Sequence, residues 1–393
     1  MIPYTVCLPK LAKCFCFGSY PETKPQHNAR YNPGCLFLCI RKHPGYNGDV
    51  KRKTLYFIAP RQVEIREETL PELGANHVLV ETICSAISAG TEMLVYQERF
   101  PRDLETDSII SGLRGGFQYP MAYGYAAVGI VRETGRRADK TLRDKFVFSF
   151  QPHTSHFITT PDSLYPIPDS ISPQTACFLP NMETAVNLVQ DGAPILGERV
   201  LVLGQGIIGL LTASLLSEFP LEKLVTVDRF ELRRQMSTIE RYANHVTSPK
   251  ALDPNSTNFR EQALSSLNQG ADLTFELSGN PEALNEAIAL TAFSGRIVIG
   301  SWYGEKQVQV HLGGSFHRSR IKLISSQVST ISPELSGCWD KSRRFDVAWK
   351  ALERIEPEKW ITHRFAIDDA IEAYRLLDED PQETIQVIFD YKS

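Results

Sequence analysis

At 393 residues, 42% apolar and 22% charged, the chain has room for two domains and an ordinary globular composition. Its net charge of −4 argues against a general nucleic-acid binder. No run approaches the roughly 18 apolar residues of a membrane helix, because Gly interrupts the longest ones.

Residues 1–53 differ from the rest. They hold nine Lys/Arg against two acids, Glu22 and Asp49, whereas the remainder holds 33 bases and 44 acids. Low acidity suits an organellar transit peptide, but Ser is scarce and no Arg-rich amphipathic helix appears. The composition favours a poorly ordered basic extension, or translation from an upstream start codon. Lys10 and Lys13 interrupt the one apolar region that could serve as a secretory signal. Cys7, Cys14, Cys16, Cys35 and Cys39 cluster here, leaving Cys84, Cys177 and Cys338 for the remaining chain. The spacing Cys14–x–Cys16 is not that of a zinc knuckle and no second pair complements it, so reduced thiols and a cytoplasmic location are expected.

Regular structure is expected from Thr54. Thr54–Ile58 reads as a strand, and Gln62–Arg66 alternates polar with apolar residues as a half-buried strand does. His77–Thr82, Gly124–Val131 and Lys145–Phe150 continue the pattern, which with its Gly/Pro punctuation suggests a small β-barrel-like domain. Near residue 185 the texture changes to alternating strands and helices, with strands at Val200–Leu203, Leu224–Asp228, Asp272–Glu276, Arg296–Gly300 and Ile321–Ser325. This is the sequence form of a doubly wound parallel sheet, an α/β fold of the Rossmann type. The stretch 340–393 reads as two helices and a closing strand, Thr384–Phe389.

The sharpest local signal is Gly204–Gln205–Gly206–Ile207–Ile208–Gly209, placed between the strand Arg199–Leu203 and the apolar helix Leu210–Leu216. Gly204 allows the tight turn, Gly206 lets a pyrophosphate approach the backbone, and Gly209 lets the helix pack on the sheet. The helix N-terminus, with Ile207 and Ile208, then offers free N–H groups to phosphate. Asp228 ends the next strand, 19 residues after Gly209, where a carboxylate accepts from the adenosine ribose hydroxyls and repels a 2′-phosphate. NAD is therefore expected over NADP. Arg229, Arg233 and Arg234 complicate that choice, since arginines pair with phosphate, although they also read as a solvated helix start.

In order along the chain, several segments resemble the medium-chain dehydrogenase/reductase superfamily. They are Glu72–Val80, Gly124–Val131, Asp272–Gly279 (including Ser278), Gly295–Gly300 and Ile367–Tyr374. The resemblance implies a GroES-like β-rich catalytic domain over 54–186 and 327–393, a Rossmann domain over 187–326 inserted into it, and a substrate cleft between the two. It also implies that Thr184 contacts the nicotinamide. Where zinc-dependent members carry a Cys, the His of Gly-His-Glu and a third ligand, this chain has Ser88, Tyr125 and Pro180–Asn181. These are poor zinc ligands, so the resemblance points to a zinc-ligand-lacking branch with no metal. Ser88–Ala89–Gly90–Thr91–Glu92 and Phe150–His153 are similar to proteins described as bacteriochlorophyllide hydroxyethyl dehydrogenase-like, which implies a large tetrapyrrole alcohol. His153, His156, Glu92 and Glu183 could assemble an atypical zinc site, or the two histidines are hydrogen-bonded loop residues; the lack of ligand spacing favours the latter.

Without zinc, hydrogen-bond donors must polarise the carbonyl. The positions of Tyr125 and Ser88 suggest that they do so, with Thr91 near the nicotinamide ribose and His153 as a reserve proton donor. The expected function is NAD(P)-dependent hydride transfer to or from a carbonyl, alcohol or activated alkene. The alternatives are a non-catalytic nicotinamide-binding redox sensor or scaffold, and a zinc-dependent alcohol dehydrogenase with an unusual site. Expected partners are a small-molecule substrate, neither nucleic acid nor membrane, and a second copy of the chain, pairing through a strand near Trp302 or the C-terminal strand.

Overall fold

β-Branched and aromatic residues dominate the start of the ordered chain and build it into strands. The computed structural model describes residues 50–101, 116–238 and 246–391. The expected basic extension falls almost wholly outside these, but its last three residues belong to β1, Lys51–Ala59. There Arg52 bonds Glu68 and Lys53 bonds Asp368, so the basic residues are used as cross-strand and interelement ion pairs. β1 pairs antiparallel with β2, Gln62–Thr69. Then follow β3 (Val78–Ala86), α1 (Ala89–Tyr96), β4 (Met121–Ala122), β5 (Ala127–Thr134), β6 (Phe146–Ser149), β7 (His156–Thr159) and β8 (Tyr165–Pro166). The strand expected from Gly124 begins only at Ala127, because Gly124 takes a left-handed φ of +108°. His156, expected in a loop, opens β7 and pairs with Glu81.

Two helices, α2 (Pro173–Ala176) and α3 (Leu179–Gly192), lead into the alternating part. It comprises β9 (Arg199–Leu203), α4 (Ile207–Ser217), β10 (Lys223–Val227), α5 (Glu231–Ser237), β11 (Lys250–Leu252), α6 (Phe259–Ser266), β12 (Ala271–Glu276), α7 (Ala283–Leu290), β13 (Thr291–Ile299) and β14 (Lys322–Ser325). The chain closes with α8 (Lys341–Ile355), β15 (Ile361–Ala366), α9 (Ala370–Glu379) and β16 (Gln386–Asp390).

β9 to β14 form one six-stranded sheet in the order β11-β10-β9-β12-β13-β14, with every pairing parallel. The chain leaves β9 in one direction and returns on its other side as β12. This reversal opens a crevice at the strands' carboxyl ends. The β-rich remainder is a three-stranded sheet, β2-β1-β4, and a seven-stranded one in which β15 and β16 join β3, β5, β6, β7 and β8. The fold is thus α/β, a Rossmann-like parallel sheet accompanied by a β-rich part that draws on both ends of the described chain. β16 lies between β15 and β3, so both its edges are already paired. Residues 300–311, around Trp302, form no strand. Neither place expected to pair between subunits is therefore a free strand edge. Among the described residues no helix is long and apolar enough to cross a membrane.

One apolar core runs through both parts. Cys84, Val128 and Phe148 of the β-rich sheet pack with Phe178, Leu179 and Met182 around α3, with Leu210 and Leu211 of α4, and with Phe345 and Leu352 of α8. A buried ion pair fixes α8 on α3. Arg344 is fully buried; its guanidinium reaches Glu183 at 3.0 Å and also bonds Asn187 and the carbonyls of Val328 and Thr330. Lys341 adds a second bond to Glu183. Arg344→Leu leaves Glu183 with Lys341 alone and takes the donor away from Asn187 and two carbonyls, so it is expected to destabilise the fold by about 3 kcal/mol, read as a lower urea midpoint.

Candidate active site

Three hydroxyl side chains meet where β3 runs into α1. Ser88 precedes the first turn of α1, Thr91 lies within that turn, and Tyr125 comes from the turn before β5. The Tyr125 hydroxyl donates to Ser88 Oγ and lies 3.4 Å from Thr91 Oγ1. All three residues are partly exposed, although the Tyr125 hydroxyl itself is withdrawn from water. Removal of the Tyr125 hydroxyl from water raises its pKa above the usual phenol value, only partly opposed by the bonds to Ser88 and Thr91, so it remains a proton-bearing donor. Rings continue from Tyr125 through Tyr123 and Phe117 to Trp302, with centroids 6.3, 6.1 and 5.9 Å apart. This series carries the hydroxyls to the segment that leaves β13, at the mouth of the parallel sheet.

Behind the hydroxyls lies a carboxylate with no exposure at all, Glu92. Its Oε1 accepts the Ser88 N–H at 2.7 Å, which fixes the first turn of α1 from within. Its Oε2 accepts the Tyr374 hydroxyl and lies 3.1 Å from His153 Nε2. His153 Nδ1 is 2.6 Å from Ser85 Oγ, which is 2.8 Å from the Tyr391 hydroxyl. With Glu92 as acceptor, Nε2–H donates, Nδ1 accepts from Ser85, and Ser85 accepts from Tyr391. Burial first, and then the Glu92 charge, push the Tyr374 hydroxyl well above its usual pKa. His153 is fully buried beneath Gly124, where an added Cβ would come within 2.6 Å of the imidazole. The sequence places His153 as a reserve proton donor to substrate; the structure seats it fully buried under the Tyr125 turn, bonded to Glu92 and Ser85 rather than to any of the three hydroxyls.

The glycine turn is tight on two sides and open on the third. Gly204 has φ +91°, and a Cβ there would lie 2.6 Å from the Leu277 carbonyl oxygen. A Cβ on Gly209 would fall 1.9 Å from the Gly204 carbonyl oxygen. Gly206 differs: a Cβ there would meet nothing nearer than the Arg233 Nη1, at 3.9 Å, so its face is open at the N-terminus of α4. Ile207 and Ile208 follow it, partly exposed. Asp228 is buried at the end of β10; one oxygen accepts the Gln205 N–H at 2.7 Å and the other the Phe230 N–H at 2.8 Å. It thereby ties the second strand to the glycine turn and keeps further lone pairs for a ligand. Arg229 is exposed and stacks on Phe230. Ser278 N–H and Oγ both bond Glu276, Gly300 N–H bonds the Glu276 carbonyl, and the Thr184 hydroxyl donates to the Pro180 carbonyl.

Asn181 is linked to the same junction through Gln386. Asn181 Nδ2 lies 3.4 Å from Gln386 Oε1, and Gln386 Nε2 bonds the carbonyl of Ile87, next to Ser88. Two hydroxyls and an amide do not fit a zinc ion, which wants thiolate, imidazole or carboxylate. The atypical set does not assemble either: Glu183 is paired with Arg344 and Lys341, and His156 faces Ser155. Among the described residues no three His, Cys, Asp or Glu are placed to hold a metal. The sequence reading passed over Tyr374 and Tyr391, which no spacing links to Glu92 or Ser85; only Glu92, four residues after Ser88, carries a local hint of capping. Replacing Glu92 with Leu strands the Ser88 N–H, the His153 N–H and the Tyr374 hydroxyl. At about 1–3 kcal/mol for each unpaired group, the variant is expected to lose at least about 3 kcal/mol of stability, measured by chemical denaturation.

No family model matches the chain. It is 25% identical over 245 residues to the D-xylulose reductase of Saccharomyces cerevisiae, a match over 60% of this chain and 63% of that enzyme. Among solved structures, the 2R,3R-butanediol dehydrogenase of Bacillus subtilis superposes with a TM-score of 0.70 at 16% identity, covering 87% of this chain and 100% of that one. An alcohol dehydrogenase of Escherichia coli CFT073 complexed with NADH superposes with a TM-score of 0.66 at 18% identity, covering 87% and 99%. Named dehydrogenases and reductases are thus what the chain resembles in sequence and in fold. Its architecture, a parallel Rossmann-like sheet with a β-rich part, is that of these solved dehydrogenases.

Proposed function

We propose that the chain is a nicotinamide-dependent oxidoreductase that interconverts a carbonyl, or an activated alkene, with its reduced form without a catalytic zinc. The observation that carries this reading is the hydroxyl trio of Tyr125, Ser88 and Thr91, standing at the corresponding ligand positions and joined by rings to the mouth of a sheet that bears an open glycine cradle. The residues that would hold the dinucleotide are Gly204, Gly206, Ile207, Ile208 and Gly209 at the diphosphate and Asp228 at the ribose, with Thr184, Ser278 and Gly300 toward the nicotinamide and Arg229 at the adenosine edge. When bound, the cofactor supplies or accepts the hydride. Asp228 favours NAD, since a 2′-phosphate would meet its charge.

The protein's own task is to hold the substrate oxygen and stabilise charge on it. Tyr125 gives its proton to a hydrogen bond with Ser88 Oγ. The Ser88 hydrogen is then left to turn toward a substrate oxygen, and a hydroxyl that accepts one bond donates the next more strongly. Thr91 Oγ1 lies 3.4 Å from the Tyr125 hydroxyl, and its own hydrogen is a further donor for the substrate. Glu92 holds the Ser88 backbone and keeps this arrangement preorganised. A non-catalytic sensor would need the glycine cradle but not a converging set of hydroxyl donors.

Purified protein is tested with NADH and a panel of ketones, quinones and enones, and with oxidised NAD and bulky aromatic alcohols, with its metal content read by elemental mass spectrometry. Cofactor turnover with at least one compound and no stoichiometric zinc is the expected result. Tight NADH binding with no turnover would favour the sensor, and one zinc per chain would restore a metal mechanism. Tyr125→Phe is expected to lower turnover well below half and Ser88→Ala further. Because the Tyr125 pKa is raised, its ionisation puts no inflection in the rate below about pH 10. Unchanged rates in Tyr125→Phe would remove it from the mechanism.

A further inference from the structure

Arg233 has no carboxylate partner at ion-pair distance among the described residues, yet its guanidinium is held rigidly. Nε lies 3.2 Å from the Thr384 carbonyl oxygen, and Nη2 lies 3.0 and 3.1 Å from those of Pro381 and Thr384. Phe230 covers one face, with its ring centre 4.9 Å from the guanidinium carbon. These bonds use three of the five N–H donors and leave Nη1 directed elsewhere. Nη1 is the nearest atom to the open face of Gly206, the glycine whose missing side chain makes room for a phosphate. Burial lowers the affinity of this group for its proton, and the neighbouring Arg229 charge adds to that, while Asp228 opposes it. A cation kept half-buried by carbonyl oxygens, with no carboxylate at ion-pair distance among the described residues, has a free edge that can receive an anion.

We propose that Arg233 is a clamp for the diphosphate of the bound dinucleotide, and that it couples nucleotide binding to residues 381–384 of the β-rich part. The inference rests on the dinucleotide reading above. The carbonyls of Pro381 and Thr384 aim the guanidinium, so that a diphosphate over Gly206 receives two kinds of donor, the N–H groups of the α4 N-terminus and the Arg233 fork. Filling the site ties the Rossmann helix α5, which carries Arg233, to the turn that enters β16 and hence to Gln386, Ile87 and Ser88. A 2′-phosphate is not its ligand, because that group would sit beside Asp228, on the ribose side.

The test compares adenosine, ADP, NADH and NADPH by calorimetry on the wild type, Arg233→Gln and Arg233→Lys, with thermal melts as a folding control. Wild type is expected to bind ADP more tightly than adenosine. Arg233→Gln should weaken ADP, NADH and NADPH by the same factor, about tenfold or more for a lost charge-assisted bond, and leave adenosine nearly unchanged. Arg233→Lys, which keeps the charge without the fork, falls between. On the wild type alone, ADP but not adenosine should slow amide hydrogen exchange across 381–386, and this decides the matter if Arg233→Gln does not fold. Undiminished ADP binding in Arg233→Gln, or a loss confined to NADPH, overturns the inference while leaving the dinucleotide reading intact, as does unaltered exchange at 381–386. Failure of wild type to bind either ADP or NADH overturns the dinucleotide reading, and the clamp with it.

Discussion

The contact between the start of α4 and the end of β9 allows no side chain, and much else follows from it. Gly209 lies so close to Gly204 that a methyl group would sit 1.9 Å from its carbonyl oxygen, and Gly204 itself presses against the backbone at Leu277 and Ser278. Because the helix can come this near, Leu210, Leu211 and Leu215 reach the core shared with α3, α8 and the β-rich sheet. The same approach brings the α4 N-terminus to the carboxyl ends of the central strands. Asp228 then ties the neighbouring strand to the turn through the Gln205 N–H. One steric constraint thus fixes the core and shapes an anion-receptive surface at the same point.

The other half of the candidate site depends on a buried charge. Glu92 is surrounded by donors from three places in the chain: the Ser88 backbone, the His153 ring and the Tyr374 hydroxyl. Burying a carboxylate is unfavourable unless its lone pairs are satisfied, and here they hold the β3–α1 junction, the strand-to-strand connection before β7 and α9 in mutual register. Tyr125 and Ser88 inherit their positions from this cluster, since Gly124 packs on His153 and Ser88 is bonded by Glu92. The chemistry proposed for the hydroxyls is therefore supported from behind by groups that never meet solvent.

What the sequence revealed was local. β9 was read at Arg199–Leu203 and observed there, because a fully apolar run ended by a required glycine leaves little room for another boundary. The glycine cradle and Asp228 were legible for the same reason: spacing along one strand–turn–helix unit fixes their geometry. β11, only three residues long, carries too little pattern to be seen. The start of β5 was misplaced because Gly124 turns with a φ of +108° directly over His153, a distant residue that leaves no room for a side chain there. The Glu92 cluster and the Arg233 clamp are also products of tertiary folding, joining positions 61 to 282 residues apart in the first case and 148 to 151 in the second. The β-rich part drew on its C-terminal strand in a way that only the family resemblance implied.

The central claim is that hydride passes between nicotinamide and a substrate carbon in a site whose oxygen is held by hydroxyl donors. The most direct measurement uses NADH carrying deuterium on the transferred C4 position, with chelator-treated protein and a ketone, quinone or enone as acceptor, and mass spectrometry of the product. The account predicts deuterium bound to carbon, or taken up through reduction of a quinone with matching loss from the cofactor, at a rate unaffected by the chelator. Deuterium retained in the cofactor with every acceptor, or transfer that appears only after zinc is restored, would contradict it.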